Sequence, residues 1–472
     1  MAVSRTVPLI LAVALFMENM DSTVISTSLP AIATDIGTSP VALKLALTAY
    51  LVSLAIFIPI SAWMADRYGP KNIFRAAIAV FVVGSLCCAA SNSLGAFVIS
   101  RFIQGMGGAM MTPVARLVLV RATQRSELVA AMAWLTIPGL IGPLVGPPVG
   151  GFITTFFSWH WIFIINLPIG LIGIVLATRF LPELPPSPVP TLDYFGFCLT
   201  AIAAAGVVFG LSVVSMPALP PEIGFATLAL GVAAGLIYMR HAWRRTSPIL
   251  DPRLFSNNVP FSMAIAGGAI FRIGNGAVPF LLPLMFQLGF GMTPFQSGML
   301  TFASALGALA MKFLAPFTLR TGGFRRVLIA STLLASLFIA FNGFFTPDTP
   351  AGVIVAVLLG SGFLRSLFFT SCNALVFAEI DDRAASQATA ILAFSQQISI
   401  AVGVALAGLI LEGFSHFSGE ALGLHAFSTA FVIVASITAL GALPFLKLAP
   451  DAGSSVSGHR RKDAGEEPPA TV

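Results

Sequence analysis

Residues 137 to 151, IPGLIGPLVGPPVGG, constrain this chain more than any other stretch. The run holds five glycines and four prolines in fifteen positions and lies inside a long apolar segment from Val129 to Phe157. In water such a composition ends helices, because proline lacks the amide donor and its ring strikes the preceding turn. In hydrocarbon the balance reverses. Unsatisfied peptide groups are so costly there that the backbone stays helical, and neighbouring helices re-satisfy what the prolines free. Gly142, Gly146 and Gly150 recur every four residues and share one face, along which a second helix can approach backbone to backbone. The physics leaves two readings open: an ordinary small-residue packing helix, or a helix with a conformational task.

Composition settles the solvent. Of 472 residues only 9% are charged and 57% hydrophobic, against roughly 25% charged in a soluble domain. Windows of about 20 apolar residues occur at 8 to 33, 41 to 64, 73 to 92, 95 to 119, 129 to 156, 161 to 181, 194 to 215, 222 to 241, 260 to 289, 294 to 317, 326 to 345, 350 to 378, 388 to 412 and 425 to 448. The expected fold is an all-α polytopic membrane protein of fourteen transmembrane helices. Lys and Arg collect on the cytoplasmic side of membranes. With the N-terminus inside, nineteen of the twenty-five basic residues fall in inner loops and tails or at the inner ends of spans, and none in outer loops. The other six, Lys44, Arg101, Arg116, Arg272, Lys312 and Arg365, lie deeper within spans. Both termini are then cytoplasmic, and the net charge of +6 follows from topology rather than from nucleic-acid binding.

Arg5 before an apolar run, with Ala31 and Ala33 as small residues, has the outline of a signal peptide. Glu18 and Asp21 interrupt that run, so it is read as a retained first helix. Cys87, Cys88, Cys198 and Cys372 all fall within spans, with neither a disulfide framework nor a metal-ligand spacing. No metal or organic cofactor is expected.

Polar residues inside hydrocarbon are expensive and by default mark a pathway or a proton relay. Glu18 and Asp21, three apart, share a face of the first span near mid-membrane. Span four places Arg101 and Gln104 on one face in RFIQGMGGAM, with Asp21 or Glu18 as the economical partner for Arg101. A purely structural ion pair is the alternative. The second half offers Arg272 in span nine, Arg365 and Asn373 in span twelve, and Gln396 and Gln397 in span thirteen as pathway candidates. Between spans two and three, AWMADRYGPKNIF supplies Asp66, Arg67, Gly69 and Lys71. Gly69 permits a tight turn, and Asp66 can pair with a basic residue or cap the next helix, making a latch between two rigid halves. The alternative is a solvated loop that only supplies basic charge. His160, between Trp159 and Trp161, reads as part of an interfacial aromatic belt.

Organisation follows from punctuation. Residues 1 to 181 form an N-terminal six-helix half. The proline-rich PELPPSPVP, residues 182 to 190, opens a connecting region of two inserted helices that runs to 255. From 256 to 450 the first half's plan recurs weakly, with TLRTGGFRRVLI in the place of AWMADRYGPKNIF but without its aspartate, as in transporters built from repeats. Residues 451 to 472 read as a disordered cytoplasmic tail.

Several of these motifs resemble, in order, those of the major facilitator superfamily, and in particular its fourteen-span drug:proton antiporter branch. Asp21 to Pro30 is similar to that branch's first-helix signature, of which Glu18 is not a part. Asp66, Arg67, Gly69 and Lys71 match the superfamily's loop motif, whereas Ala62, Met64 and Pro70 depart from it. RFIQG resembles the Arg-x-x-Gln-Gly motif associated with proton coupling. Gly142, Pro143, Gly146, Gly150 and Gly151, preceded by Gly139, resemble the fifth-helix antiporter motif. SWHWIFIINLPIG resembles a further signature of the same branch.

The resemblance implies proton-coupled efflux of small molecules across the bacterial inner membrane by alternating access, driven by the proton gradient. Asp21, Arg101 and Glu18 would be the coupling groups. A periplasmic adaptor and an outer-membrane channel are partners the resemblance allows. A charge count refines the substrate. Against Glu18 and Asp21 stand the mid-span Arg101, Arg272 and Arg365, so the centre is positive by one with both acids ionised. Anionic or zwitterionic cargo is therefore expected ahead of lipophilic cations, the alternative within the same family. A polytopic membrane enzyme would need clustered catalytic acids or histidines. Here Glu379, Asp381 and Asp382 sit in a short inner loop and no Walker-type loop occurs, so no enzyme is expected. Retention of Asp21, Arg101 and the glycine run also argues against a non-transporting receptor.

Overall fold

The structure, a computed structural model, describes residues 6–124, 127–186, 191–214, 216, 219–381, 384–418 and 423–457. Arg5, Arg125, Asp382, Arg383, Arg460, Arg461, Lys462 and the linker residues 187 to 190 lie outside the described residues. Described elements are helical throughout, with no strand. In the first half they are α1 (Thr6–Val24), α2 (Lys44–Tyr68), α3 (Pro70–Ala89), α4 (Leu94–Ala122), α5 (Leu128–Phe156) and α6 (Asn166–Phe180). The inserted pair is α7 (Tyr194–Val214) and α8 (Pro221–Arg244). The second half comprises α9 (Val259–Leu284), α10 (Pro294–Asn342), α11 (Ala351–Phe377), α12 (Ala385–Ser418) and α13 (Leu424–Leu440).

Thirteen described segments are long and apolar enough to cross a membrane. The expected tenth span, 294 to 317, is not among them and forms the first arm of α10. A straight helix of 49 residues at 1.5 Å per residue would be about 70 Å long, over twice the hydrocarbon thickness of roughly 30 Å. Gly323, with φ 67°, breaks it, a backbone region glycine enters without a Cβ penalty.

The glycine run of α5 packs on α1. A methyl at Gly142 would stand 2.9 Å from the Met20 amide nitrogen, and methyls at Gly146 and Gly150 would overlap Thr23 Oγ1 and the Val24 carbonyl. Gly139 is different, with nothing nearer than 3.8 Å. On the far side of the same helix, a methyl at Gly151 would strike Pro294, and one at Gly298 would strike Pro147, so α5 also touches the start of α10. Thr155 Oγ1 accepts from the Phe295 amide at 3.0 Å there. One helix thus bears on both halves.

Apolar packing is divided unevenly. At the end carrying the basic loops each half has its own core, with Leu11, Phe74, Phe81 and Val114 in the first and Phe271, Phe368, Leu375 and Ile391 in the second. At the opposite end one core combines Val24, Leu29, Phe97 and Phe163 with Phe280, Leu281, Phe286 and Phe427. Gln287 Nε2 donates to the Thr27 carbonyl at 2.9 Å across that junction. Helices α7 and α8 pair through mutually facing Gly206 and Gly231, and α7 inserts Ala204 and Val208 between Val52 and Ile56 of α2 and Ala401 of α12. Large side chains such as Phe225, Leu230 and Leu236 of α8 are exposed, at 59%, 61% and 69%. In water that surface would be an aggregation liability, and in a bilayer it meets lipid.

Two expected segments gain detail. Of the expected belt, Trp161 is exposed at 53% whereas Trp159 turns into the protein, its ring packed edge-on to Phe97 and its Nε1 donating to Asp35 Oδ2 at 3.0 Å. Part of the segment expected to be a disordered tail is helical. Residues 451 to 457 include a short helix, Ser454–Ser457, held by Gly453 against Phe324 and by its amide on Glu379 Oε1, and 458 to 472 lie outside the described residues.

Candidate substrate and proton sites

Close approach of three helices builds the first site. On α4, Gly105 and Gly107 admit the backbones of α2 and α3: a methyl at Gly105 would stand 2.8 Å from the Tyr50 carbonyl, and one at Gly107 would stand 2.5 Å from the Phe81 amide nitrogen. Gly84 of α3 in turn lies on the Gln104 backbone. The small residues bring long polar side chains of α4 within reach of α1, α2, α3 and α6.

Asp21 of α1 is wholly buried and accepts from three donors. Arg101 Nη1 reaches its Oδ2 at 2.7 Å, while Gln104 Nε2 and Asn166 Nδ2 both reach Oδ1 at 2.8 Å. Gln104 and Asn166 also meet Ser85 Oγ, at 2.7 and 3.2 Å, and Arg101 Nη1 donates to Gln104 Oε1. The Arg101 guanidinium lies 4.3 Å above the Tyr50 ring, a cation–π contact strengthened by desolvation. Every group facing the carboxylate is a donor, the arrangement an ionised acid requires. A proton arriving on Oδ2 must displace Arg101, because a guanidinium cannot accept. The expected Asp21, Arg101 and Gln104 grouping is therefore present, and the choice between Asp21 and Glu18 as partner of Arg101 falls to Asp21. Glu18 is half buried and accepts instead from Thr112 Oγ1 at 2.9 Å.

Around Arg272 of α9 the second half gathers a smaller polar group. Its Nη2 donates to Asn373 Oδ1 at 3.0 Å, and Gln396 Nε2 donates to the same oxygen at 3.2 Å. The Phe369 ring lies 5.2 Å from the guanidinium carbon. Arg365 is half buried and has no carboxylate partner among the described residues. No hydrogen bond among the described residues joins Arg365 or Gln397 to the Arg272 group. No cluster of metal-ligating side chains is present among the described residues.

The loop motif departs from its expected role. Asp66 pairs with Arg121 at 2.5 Å, and Lys71 reaches the Leu181 carbonyl at 2.9 Å and Glu183 at 2.8 Å. Arg67 is exposed. Gly69, at φ 88°, makes the turn between α2 and α3. All these partners belong to α2, α3, α4 and the chain after α6, so the latch ties helix ends within the first half and not one half to the other. The reason is proximity: the turn at Gly69 brings its loop beside the C-terminal end of α4.

Sequence reasoning missed Asn166, Ser85, Tyr50 and Thr112 as site residues. Asn166 had a legible signal, an amide inside the apolar run 158 to 170. Ser85 and Thr112 had none, since small hydroxyl residues also satisfy their own helix backbone.

A model of the major facilitator superfamily matches residues 11–257 and 264–471. A Pectobacterium atrosepticum protein named for multidrug resistance, MdtD, is 39% identical over 445 residues, covering 94% of this chain and 95% of the relative. An Escherichia coli protein of the same name is 35% identical over 463 residues, covering 97% of each. Among solved structures, a D-xylose-proton symporter superposes with a TM-score of 0.69 at 15% identity, covering 95% of this chain and 98% of that one. A POT family transporter in complex with 5-aminolevulinic acid gives 0.69 at 16% identity, covering 94% and 96%. Motif order, helical architecture, buried polar network and full-length relatives agree, and the chain belongs to the major facilitator superfamily of membrane transporters.

Proposed function

We propose that this transporter exports small molecules in exchange for protons across a bacterial inner membrane, with both termini in the cytoplasm. The observation that carries the reading is the Asp21 carboxylate, buried and held by Arg101, Gln104 and Asn166. Protonation of Asp21 discharges the pair and frees Arg101, so one proton alters the contacts between α1 and α4 next to the glycine contact of α1 with α5. Glu18, one turn away and in contact with Thr112, serves as a second proton carrier. Alternating access then consists of rocking α1 to α6 against α9 to α13, with α5 as the bearing. The multidrug-resistance names of the relatives support export of small molecules as the direction and class of transport.

The charge distribution favours anionic or zwitterionic cargo. Asp21 is consumed by Arg101, and the described second-half helices contain a single acid, Glu412, which is bound to Lys44. Arg272 and Arg365 thus lie in the second half without a carboxylate partner among the described residues. A lipophilic cation is the second reading, and the half-buried Glu18 is the observation in its favour. Uptake of labelled compounds into inside-out vesicles, with and without a pH gradient, tests the proposal. Gradient-dependent uptake by the wild type that is absent in Asp21→Asn is the expected result, and gradient-independent uptake overturns it.

A further inference from the structure

The second half holds a buried cation that no carboxylate among the described residues neutralises. Arg272 is 2% exposed, and its Nη1 has no hydrogen-bond acceptor among the described residues. That nitrogen is turned toward Gly268, where an added methyl would stand 2.5 Å from it and 3.0 Å from Cys372 Sγ. The thiol donates elsewhere, to the Ala264 carbonyl at 3.3 Å. An isolated buried charge of this kind is costly and calls for a counter-charge.

The geometry around Asn373 indicates where that counter-charge goes. Its Oδ1 accepts from two side chains at once, Arg272 Nη2 at 3.0 Å and Gln396 Nε2 at 3.2 Å. A guanidinium and an amide converging on one oxygen are the donors a carboxylate would draw, here met by the weaker dipole of an amide. Asn373 and Gln396 are both half buried, whereas Arg272 is buried, so the two amides are the accessible members of the group and Arg272 its packed base. Phe369, also half buried, covers the guanidinium with its ring.

We propose that Asn373 Oδ1 holds the place of a substrate carboxylate. On binding, the cargo displaces the Asn373 amide, takes the bonds of Arg272 and Gln396, and rests its apolar or aromatic body on Phe369. This deepens, and rests on, the transport reading, and it assigns the recognition of cargo to the second half while Asp21 handles the proton in the first. Charge-assisted bonds are about twice as strong as neutral ones, and the guanidinium fork matches a carboxylate in a way that no neutral amide or ammonium can.

The test uses the full-length protein in detergent, titrated calorimetrically with benzoate, its neutral isostere benzamide, and benzylammonium. Benzoate should bind about tenfold or more tighter than benzamide, as expected where a bond to a charged group replaces a neutral one, and benzylammonium should bind more weakly than either. Asn373→Asp keeps the shape and places a permanent carboxylate on Arg272, so the variant should lose the benzoate preference while staying folded. Gln396→Met should weaken benzoate several-fold and benzamide by a smaller factor, because the bond lost to the carboxylate is the charge-assisted one. Equal binding of benzoate and benzamide, no benzoate binding at millimolar concentration, or a full benzoate preference in Asn373→Asp would overturn the proposal. These titrations contain no gradient, so they bear on the carboxylate site alone, whereas vesicle uptake by Asp21→Asn bears on proton coupling alone.

Discussion

Lys44 of α2 and Glu412 of α12, 368 positions apart in the chain, form an ion pair across the two halves of the molecule. The lysine side chain is fully buried and the glutamate 10% exposed. Gly408, one turn before Glu412, has no side chain because the lysine stem occupies that place. Among the described residues no other ion pair joins α1 to α6 with α9 to α13. It lies at the end where both halves share one core, so the proposed opening there would separate two charges that water would then solvate.

Breaking that pair from one side should favour opening at this end. Removing one partner of a buried pair costs about 3 to 5 kcal/mol, reduced here by the partial exposure of Glu412. A cysteine introduced at Thr27, in a background without the four native cysteines, should react several-fold faster with an impermeant maleimide in Lys44→Met or Glu412→Gln. The double variant Lys44→Met with Glu412→Met should return to the slow rate. An unchanged rate in both single variants would show that the pair does not hold the closure.

Asp21→Asn should abolish gradient-driven export while the protein still reaches the membrane. The asparagine retains an oxygen for Gln104 and Asn166 but leaves Arg101 without its counter-charge. Uptake into inside-out vesicles across an imposed pH gradient is the measurement. Concentrative uptake by the variant would remove Asp21 from the coupling step.

The glycine run makes a graded prediction. Gly146→Leu forces a side chain into Thr23 and Met20 of α1, and overpacking of this kind costs about 1 to 3 kcal/mol. Transport should fall sharply, or the protein should leak protons. Gly139→Ala meets nothing closer than 3.8 Å and should transport at the wild-type rate. Equal behaviour of the two variants would reduce the stripe to a spacer.

Electrogenicity reads the sign of the cargo. One charge crossing 100 mV is worth about 2.3 kcal/mol. Exporting a monoanion in exchange for one proton moves two charges in the favourable sense, whereas exchanging a monocation for a proton moves none. Collapsing the membrane potential at constant pH gradient should therefore slow export strongly. Export of a monocation that is insensitive to potential, without competition from carboxylates, would favour the cation reading.

What the sequence determined by itself is what depends on local composition and period. Apolar windows at bilayer length made the chain an all-helical membrane protein, the ordered motifs made it a transporter, and the face shared by Arg101 and Gln104 made that pair a candidate site. The four-residue spacing of Gly142, Gly146 and Gly150 showed that something must pack closely on α5. Only the tertiary structure decided that this something is α1, that the next glycine turns to α10, and that Asp21 rather than Glu18 receives Arg101. It also moved the Asp66 latch inside the first half, joined Lys44 to Glu412, and put Asn166 and Ser85 around the carboxylate. Period and hydropathy are properties of neighbouring residues, so a sequence displays them. Which face meets which partner across hundreds of residues depends on how whole helices pack, and no local pattern records it.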